Sequence, residues 1–333
     1  MPAVRPRAGG LTASHSRHPM PPVSIANSVA DVLMIRPACF GANPQTAASN
    51  VFQARGSEEP AAAACAAALE CDQLVAALGD AGVRVHLYDD LPDPPRPDAV
   101  FPNNWVSFHD DGTVVLYPML ARSRRAERRV DLLADLVSRE HFRIERLIDL
   151  THHELTGRFL EGTGSLVLDR IHRIAYACLS PRTDADVAAE FARLLDYDLV
   201  TFDALDQDGV PIYHTNVMLA LGTHFAVVCA DAIPGPQWAR LHRRLADSGR
   251  EIIPISLAQV RSFAGNLIEL RTEDDTRVVA MSAAACAAFT PGQRSALEQL
   301  AGPIVAAPIP TIERLGGGSV RCMIAEVALP RAS

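Results

Sequence analysis

The sequence predicts an α/β protein of about five β/α units arranged around a centre. Three observations carry that expectation. Five helix-like segments recur about every 50–60 residues, and self-similarity at a near-constant period is the mark of a repeated unit. Short runs rich in Val, Ile and Leu, bounded by Gly, Pro, Asp or Asn, fill the intervals and read as strands. No Pro/Gly/Ser linker divides the 333 residues, although a prior of about 150 residues per domain allows two domains. A two-domain α/β enzyme is the competing arrangement.

The elements follow in order. Val32–Ile35 is an apolar strand. Ala61–Asp80 is a long helix that ends at Gly79 or Gly82, where a glycine C-terminal to a helix belongs. Val83–Leu87 and Val114–Tyr117 are strands, separated by a breaker loop at Pro92–Pro97. Ser123–His141 is a helix in which Val130, Leu133, Leu136 and Val137 form one apolar stripe with arginines behind. Strands Leu166–Leu168 and Ile174–Cys178 precede the helix Asp184–Asp196. Val217–Ala220 and Phe225–Cys229 precede the helix Gln237–Ser248. Leu267–Leu270 and Val278–Met281 precede the helix Pro291–Gly302, and Cys322–Val327 is the last strand.

Composition excludes several chemistries. All 31 basic residues are arginine, so lysine imine chemistry, a pyridoxal-phosphate Schiff base and a lysine-bearing phosphate loop are ruled out. A net charge of -8 argues against a nucleic-acid binder, whose footprint is a basic face. Seven scattered cysteines without a C-x-x-C pair fit a reducing compartment, so a cytoplasmic location is expected. No run approaches the ~18 apolar residues of a membrane span, so no membrane partner is expected. Residues 1–27 hold arginines, prolines and no acid, without the apolar core of a secretory signal, and read as a disordered or processed leader before a single catalytic domain at 28–333.

Four stretches differ from ordinary core sequence. Phe101-Pro102-Asn103-Asn104-Trp105 places asparagines at a strand boundary, where turns are their usual role. Glu161-Gly162-Thr163-Gly164-Ser165 runs into a strand, with glycines that suit a tight turn or close backbone approach. Tyr213-His214-Thr215-Asn216 puts a histidine before a strand. Gly316-Gly317-Gly318-Ser319-Val320-Arg321-Cys322 puts three glycines before a cysteine. A cysteine needs a base or a cation to become a thiolate, and histidine supplies both. His152-His153-Glu154 invites a zinc hydrolase reading, but the spacing of a helical two-histidine site is missing.

These stretches, with Ile35-Arg36-Pro37 and Phe263-Ala264-Gly265-Asn266, resemble the guanidine-modifying (pentein) superfamily over about residues 30 to 330. Within it they look most like the citrulline-utilisation hydrolases. The resemblance implies a pentein five-bladed α/β propeller of pseudo-fivefold ββαβ repeats. It implies Cys322 as nucleophile, His214 as general acid/base and Glu161 as the carboxylate beside the reacting group. Where arginine deiminases carry two guanidinium-binding aspartates, this chain has Asn104 and Asn216. An amide offers both a donor and an acceptor, which suits a neutral ureido group. Arg182 and Arg124 match the two arginines that hold a substrate α-carboxylate, and the planar guanidinium fork fits that task. Gly317 and Gly318, with Asn104, are candidates to line the substrate and stabilise an oxyanion.

The implied activity is cofactor-free and metal-free hydrolysis of citrulline to ornithine, ammonia and carbon dioxide through an S-carbamoyl enzyme. The expected partner is a small amino-acid substrate, and the sequence leaves room for a homo-oligomer. An arginine deiminase, or a dihydrolase of arginine or a modified arginine, is the alternative. A non-catalytic binding protein on the same fold is a second alternative.

Overall fold

The computed structural model describes residues 27–54 and 59–332. Its strands form five three-stranded sheets of one design. The first joins β1 (Asp31–Arg36) and β2 (Arg84–Asp89) in parallel across helix α1 (Pro60–Asp80). The second holds β3 (Val106–Phe108), β4 (Thr113–Leu116) and β5 (Arg146–Asp149), with α2 (Asp131–Ser138) in the crossover. The third holds β6 (Leu166–Asp169), β7 (Ile174–Cys178) and β8 (Asp198–Phe202), with α3 (Ala185–Leu195). The fourth holds β9 (Leu219–Leu221), β10 (Phe225–Val228) and β11 (Glu251–Pro254), with α4 (Gly235–Asp247). The fifth holds β12 (Ile268–Arg271), β13 (Arg277–Ser282) and β14 (Ile304–Ala307), with α5 (Pro291–Ala301). β15 (Ala325–Glu326) returns to pair antiparallel with β1, so the end of the chain completes the first sheet.

Each sheet thus has an inner antiparallel strand, a central strand and an outer parallel strand reached through a helix. The inner strands are buried on both faces. β15 lies beside β3, β6 beside β9, and β9 beside β12, so the inner strands line one centre. These are the five α/β units around one centre that the period predicts, in the propeller arrangement that the resemblance implies.

The helix boundaries follow local chemistry. Asp184 caps α3 by accepting the amides of Asp186 and Val187, and Thr290 forms a capping box with Gln293 at α5. Pro60 and Pro291 occupy first-turn positions, where a missing N–H costs nothing. Gly82, with φ +85°, supplies the left-handed residue past α1.

The structure corrects several expectations. The predicted helix Ser123–His141 is a 3-10 turn at Arg122–Glu127 followed by α2, because Arg124 and Glu127 turn inward. Leu132, Leu133 and Leu136 make its buried stripe, while Val130 and Val137 are exposed. Val217 belongs to a 3-10 turn before β9, and Cys322 lies in a turn before β15. Strands β3, β5, β8, β11 and β14 were not predicted. Helix α1 is long and apolar enough to cross a membrane by length and composition, which revises the expectation that no segment is. Its Ala63, Ala67, Cys71, Leu74 and Leu78 pack in the core, and Glu70 accepts the amides of Thr311 and Ile312. The expected leader lies outside the described residues except Asn27, which is buried and hydrogen-bonded to Leu221 and Arg170.

Candidate active site

The turn that opens each inner strand carries the site. The 3-10 turn Pro102–Asn104 precedes β3, and the one-turn helix Gly162–Ser165 precedes β6. His214 caps the turn Thr215–Val217 before β9, Asn266 precedes β12, and Cys322 precedes β15. Five repeats therefore deliver side chains from residues more than 200 positions apart to one place. The local backbone makes this possible through glycine. Gly162 has φ +48°, and a Cβ there would stand 2.2 Å from the Asn103 carbonyl oxygen. A Cβ on Gly164 would stand 2.5 Å from Asn104 Nδ2 and 2.6 Å from His214 Nδ1.

A narrow pocket is lined by Asp98, Asn104, Arg124, Arg182, His214, Gly316, Gly317, Gly318 and Cys322, with Thr46, Asn50, Phe101 and Tyr213. His214 Nε2 is 2.9 Å from Glu161 Oε2. Glu161 does not line the pocket; it stands behind His214, wholly buried. Its other oxygen accepts the Leu120 amide at 3.1 Å. Arg182 Nη1 and Arg124 Nη1 approach Glu161 Oε2 at 3.4 and 3.7 Å. Burial alone would raise the Glu161 carboxyl, but Arg182, His214 and Arg124 hold it well below the usual carboxylate range. Burial lowers His214 to about 4, against the pull of Glu161. At neutral pH the pair is therefore a neutral imidazole donating from Nε2 to an ionised carboxylate, which leaves Nδ1 as an acceptor.

The sulfur of Cys322 is flanked by two amides. Asn266 Nδ2 lies 3.3 Å from it and Asn216 Nδ2 3.6 Å. Asn266 Nδ2 also donates to the Asn216 carbonyl at 2.9 Å, which fixes the two relative to each other. Asn216 does not line the substrate pocket; it lines a second cavity with Arg321 and Glu326. Asn104 Oδ1 accepts from Arg124 at 2.9 Å, while its Nδ2 is buried without a partner beside the pocket. An unpaired buried donor is costly, so this amide is poised for an acceptor. The glycine loop is shaped by packing as well as by access. Gly317 takes φ +63°, its N–H is bonded to Glu313, and its carbonyl accepts from Tyr213. A Cβ on Gly316 would meet the Phe101 ring at 2.8 Å.

Arg124 is buried, apart from its sequence neighbours. Arg122 is exposed, Arg125 and Arg128 pair with Glu154, and Arg129 pairs with Asp131. Arg124 grips Glu127 with two nitrogens and lies 3.7 Å from Asp98. Arg182 donates to Ser49 and to the Thr46 carbonyl and lies over the Tyr213 ring. The segment 43–54 therefore roofs the pocket, with Asn50 also donating to the Gly316 and Gly317 carbonyls. Sequence reasoning missed Asp98 and this roof, and it named the stretch Phe263–Asn266 without giving Asn266 a role. Asp98 stands only three residues before Phe101, and its signal was masked by the proline-rich loop around it.

No curated protein matches the sequence. The cyanobacterial arginine dihydrolase ArgZ of the ornithine-ammonia cycle is similar in structure, with TM-score 0.70 and 17% identity, covering 91% of this chain and 41% of that one. Unliganded AgrE gives TM-score 0.69 and 19% identity, covering 91% of this chain and 40% of that one. A dimethylarginine dimethylaminohydrolase adduct with S-methyl-L-thiocitrulline gives TM-score 0.60 and 17% identity, covering 89% and 99%. This chain thus spans about two fifths of the longer ArgZ and AgrE chains. Residues 36–329 match the family model described as "N,N dimethylarginine dimethylhydrolase, eukaryotic". On the strength of that match across nearly the whole described ring, the chain belongs to the dimethylarginine dimethylhydrolase family of the pentein superfamily.

Proposed function

We propose that the chain is a thiol hydrolase of guanidino C–N bonds acting on free arginine or a modified arginine. Family membership carries the choice of substrate class. The buried cluster around the pocket holds two guanidinium groups, Arg124 and Arg182, against three carboxylates, Asp98, Glu127 and Glu161. Burial raises Asp98 and pushes Glu127 up to about 8, so the charges of the cluster come close to balance at neutral pH.

In this reading Arg182 and Arg124 receive the α-carboxylate, and Asp98 receives the α-ammonium. Cys322 attacks the guanidinium carbon while its thiol proton passes to the neutral His214. Glu161, fixed behind the ring, stabilises the imidazolium that forms. His214 then protonates the departing amine as the C–N bond breaks. Water, deprotonated by His214, attacks the S-amidino adduct and regenerates the thiol. General acid/base help of this kind is worth roughly 10²–10⁴-fold. Asn104 Nδ2 and Asn266 Nδ2 are the free or sulfur-facing donors available for developing charge.

Citrulline is a second reading, favoured by the amides of Asn216 and Asn266 at the sulfur. The two readings join if hydrolysis proceeds twice, since the first round on arginine leaves a ureido group. The second round then gives a thiocarbamate, whose hydrolysis product loses carbon dioxide to leave ornithine. The test is a panel of arginine, dimethylarginine and citrulline, scored for ammonia, dimethylamine, citrulline and ornithine. Turnover of a guanidine, abolished by several orders of magnitude in Cys322→Ser, is the expected result. Turnover of citrulline alone selects the second reading, and no turnover of any of the three overturns both.

A further inference from the structure

Away from the catalytic pocket, His152, His153 and Glu190 bring one ligand atom each within 4.8 Å of one another. We propose that they form a surface site for a transition-metal dication of the zinc class. His152 and His153, neighbours in the 3-10 turn Thr151–Thr156, turn their rings toward each other, with centroids 4.1 Å apart. His152 Nδ1 lies 3.2 Å from the Asp149 carbonyl oxygen, so it holds the proton and Nε2 keeps its lone pair. Ligating histidines use their second nitrogen in this way. His153 Nε2 lies 2.8 Å from Glu190 Oε2 on α3. Tetrahedral zinc, with bonds of about 2.0–2.1 Å, separates its ligand atoms by about 3.3 Å, so small rotations of these side chains suffice.

The adjacent Glu154 is not the third ligand. Its oxygens take the Met119 amide, Arg125 and Arg128. Two imidazoles and one carboxylate select zinc, nickel or copper over calcium or magnesium, which need more oxygen ligands. None of the three residues lines the catalytic pocket, so the site binds and braces rather than catalyses. It joins α3 to the turn that leads, through residue 160, into Glu161. A metal that binds only the folded chain raises its stability by mass action.

Zinc chloride titrated calorimetrically into the full chain, with melting curves alongside, tests the site. Wild type and Cys322→Ala should both bind zinc and melt higher with it. His152→Ala combined with Glu190→Gln should lose both effects while its metal-free turnover stays at the wild-type level; His152→Gln alone serves if that pair fails to fold. Zinc binding that disappears in Cys322→Ala would place the metal at the thiol and overturn the proposal. Undiminished binding in the surface variant, or none in wild type, would also overturn it.

Discussion

At the scale of single residues, the chain reads best where chemistry forces an unusual residue type. A glycine triplet, a lone His-Thr-Asn and a Glu-Gly-Thr-Gly run stand out against a core of Val, Leu and Ala. What they do not reveal is their direction. Gly164 illustrates the difference. Its sequence context suggests a turn or an open approach to ligand, yet its missing side chain makes room for two catalytic neighbours. Gly164→Ala should therefore push His214 and Asn104 out of place by several tenths of an ångström or more. A displacement approaching 1 Å costs on the order of 10²-fold in turnover. The expected result is kcat reduced by about that factor with an unchanged far-ultraviolet circular dichroism spectrum. Wild-type kcat in Gly164→Ala would show that the contact is relieved elsewhere.

Most elements were legible in proportion to their burial; β3, buried throughout but only three residues long, is the exception. The central strands, such as Ile174–Cys178, are buried throughout and read as continuous apolar runs. Four of the five unpredicted strands, β5, β8, β11 and β14, are outer strands with at most two residues buried. Only their parallel ladders define them, and a ladder is a tertiary contact. Polar contacts also tie one sheet to the next. Asp169 ends β6, and Arg250, one residue before β11, meets both its oxygens; Arg250 Nε also reaches the Gly222 carbonyl. Both side chains are fully buried. Removing one partner of a buried pair leaves a charge stranded, at a cost of about 3–5 kcal/mol. His172 still contacts Asp169, so Arg250→Met should fall near the lower end. Urea unfolding measures it. A loss well below 1 kcal/mol would mean that water reaches Asp169 in the native state.

For the whole molecule, the buried ionisable centre predicts a response to acid. The folded chain keeps His214 neutral down to about 4, whereas an unfolded histidine protonates near its ordinary value of about 6.5. Between those limits the unfolded state binds the extra proton, so stability falls as pH falls. The contribution is on the order of 3 kcal/mol across the window. Glu161, held low, adds a further loss as pH drops below the ordinary glutamate range. Asp98 and Glu313, raised by burial, act in the opposite sense. The informative measurement is therefore a difference. Melting temperature should fall more steeply between pH 6.5 and 4 in wild type than in His214→Gln. Parallel curves would mean that His214 is protonated in the folded chain at ordinary pH.

Period, short apolar runs and residue type were enough to expect five α/β units, five helices and a Glu, His, Cys set, because each is local or repeats along the chain. The identity of the catalytic neighbours was not local. Asp98 and Asn266 join Cys322, and Arg124 leaves its basic run to meet Glu127 and Glu161, only when the inner strands close around one centre. Sequence spacing cannot express that convergence, since the residues lie up to 224 positions apart, from Asp98 to Cys322. The balance of two guanidinium groups against three carboxylates arises there too. Charge composition fixes only a total of -8, while burial decides which of those charges face each other in a medium where they count.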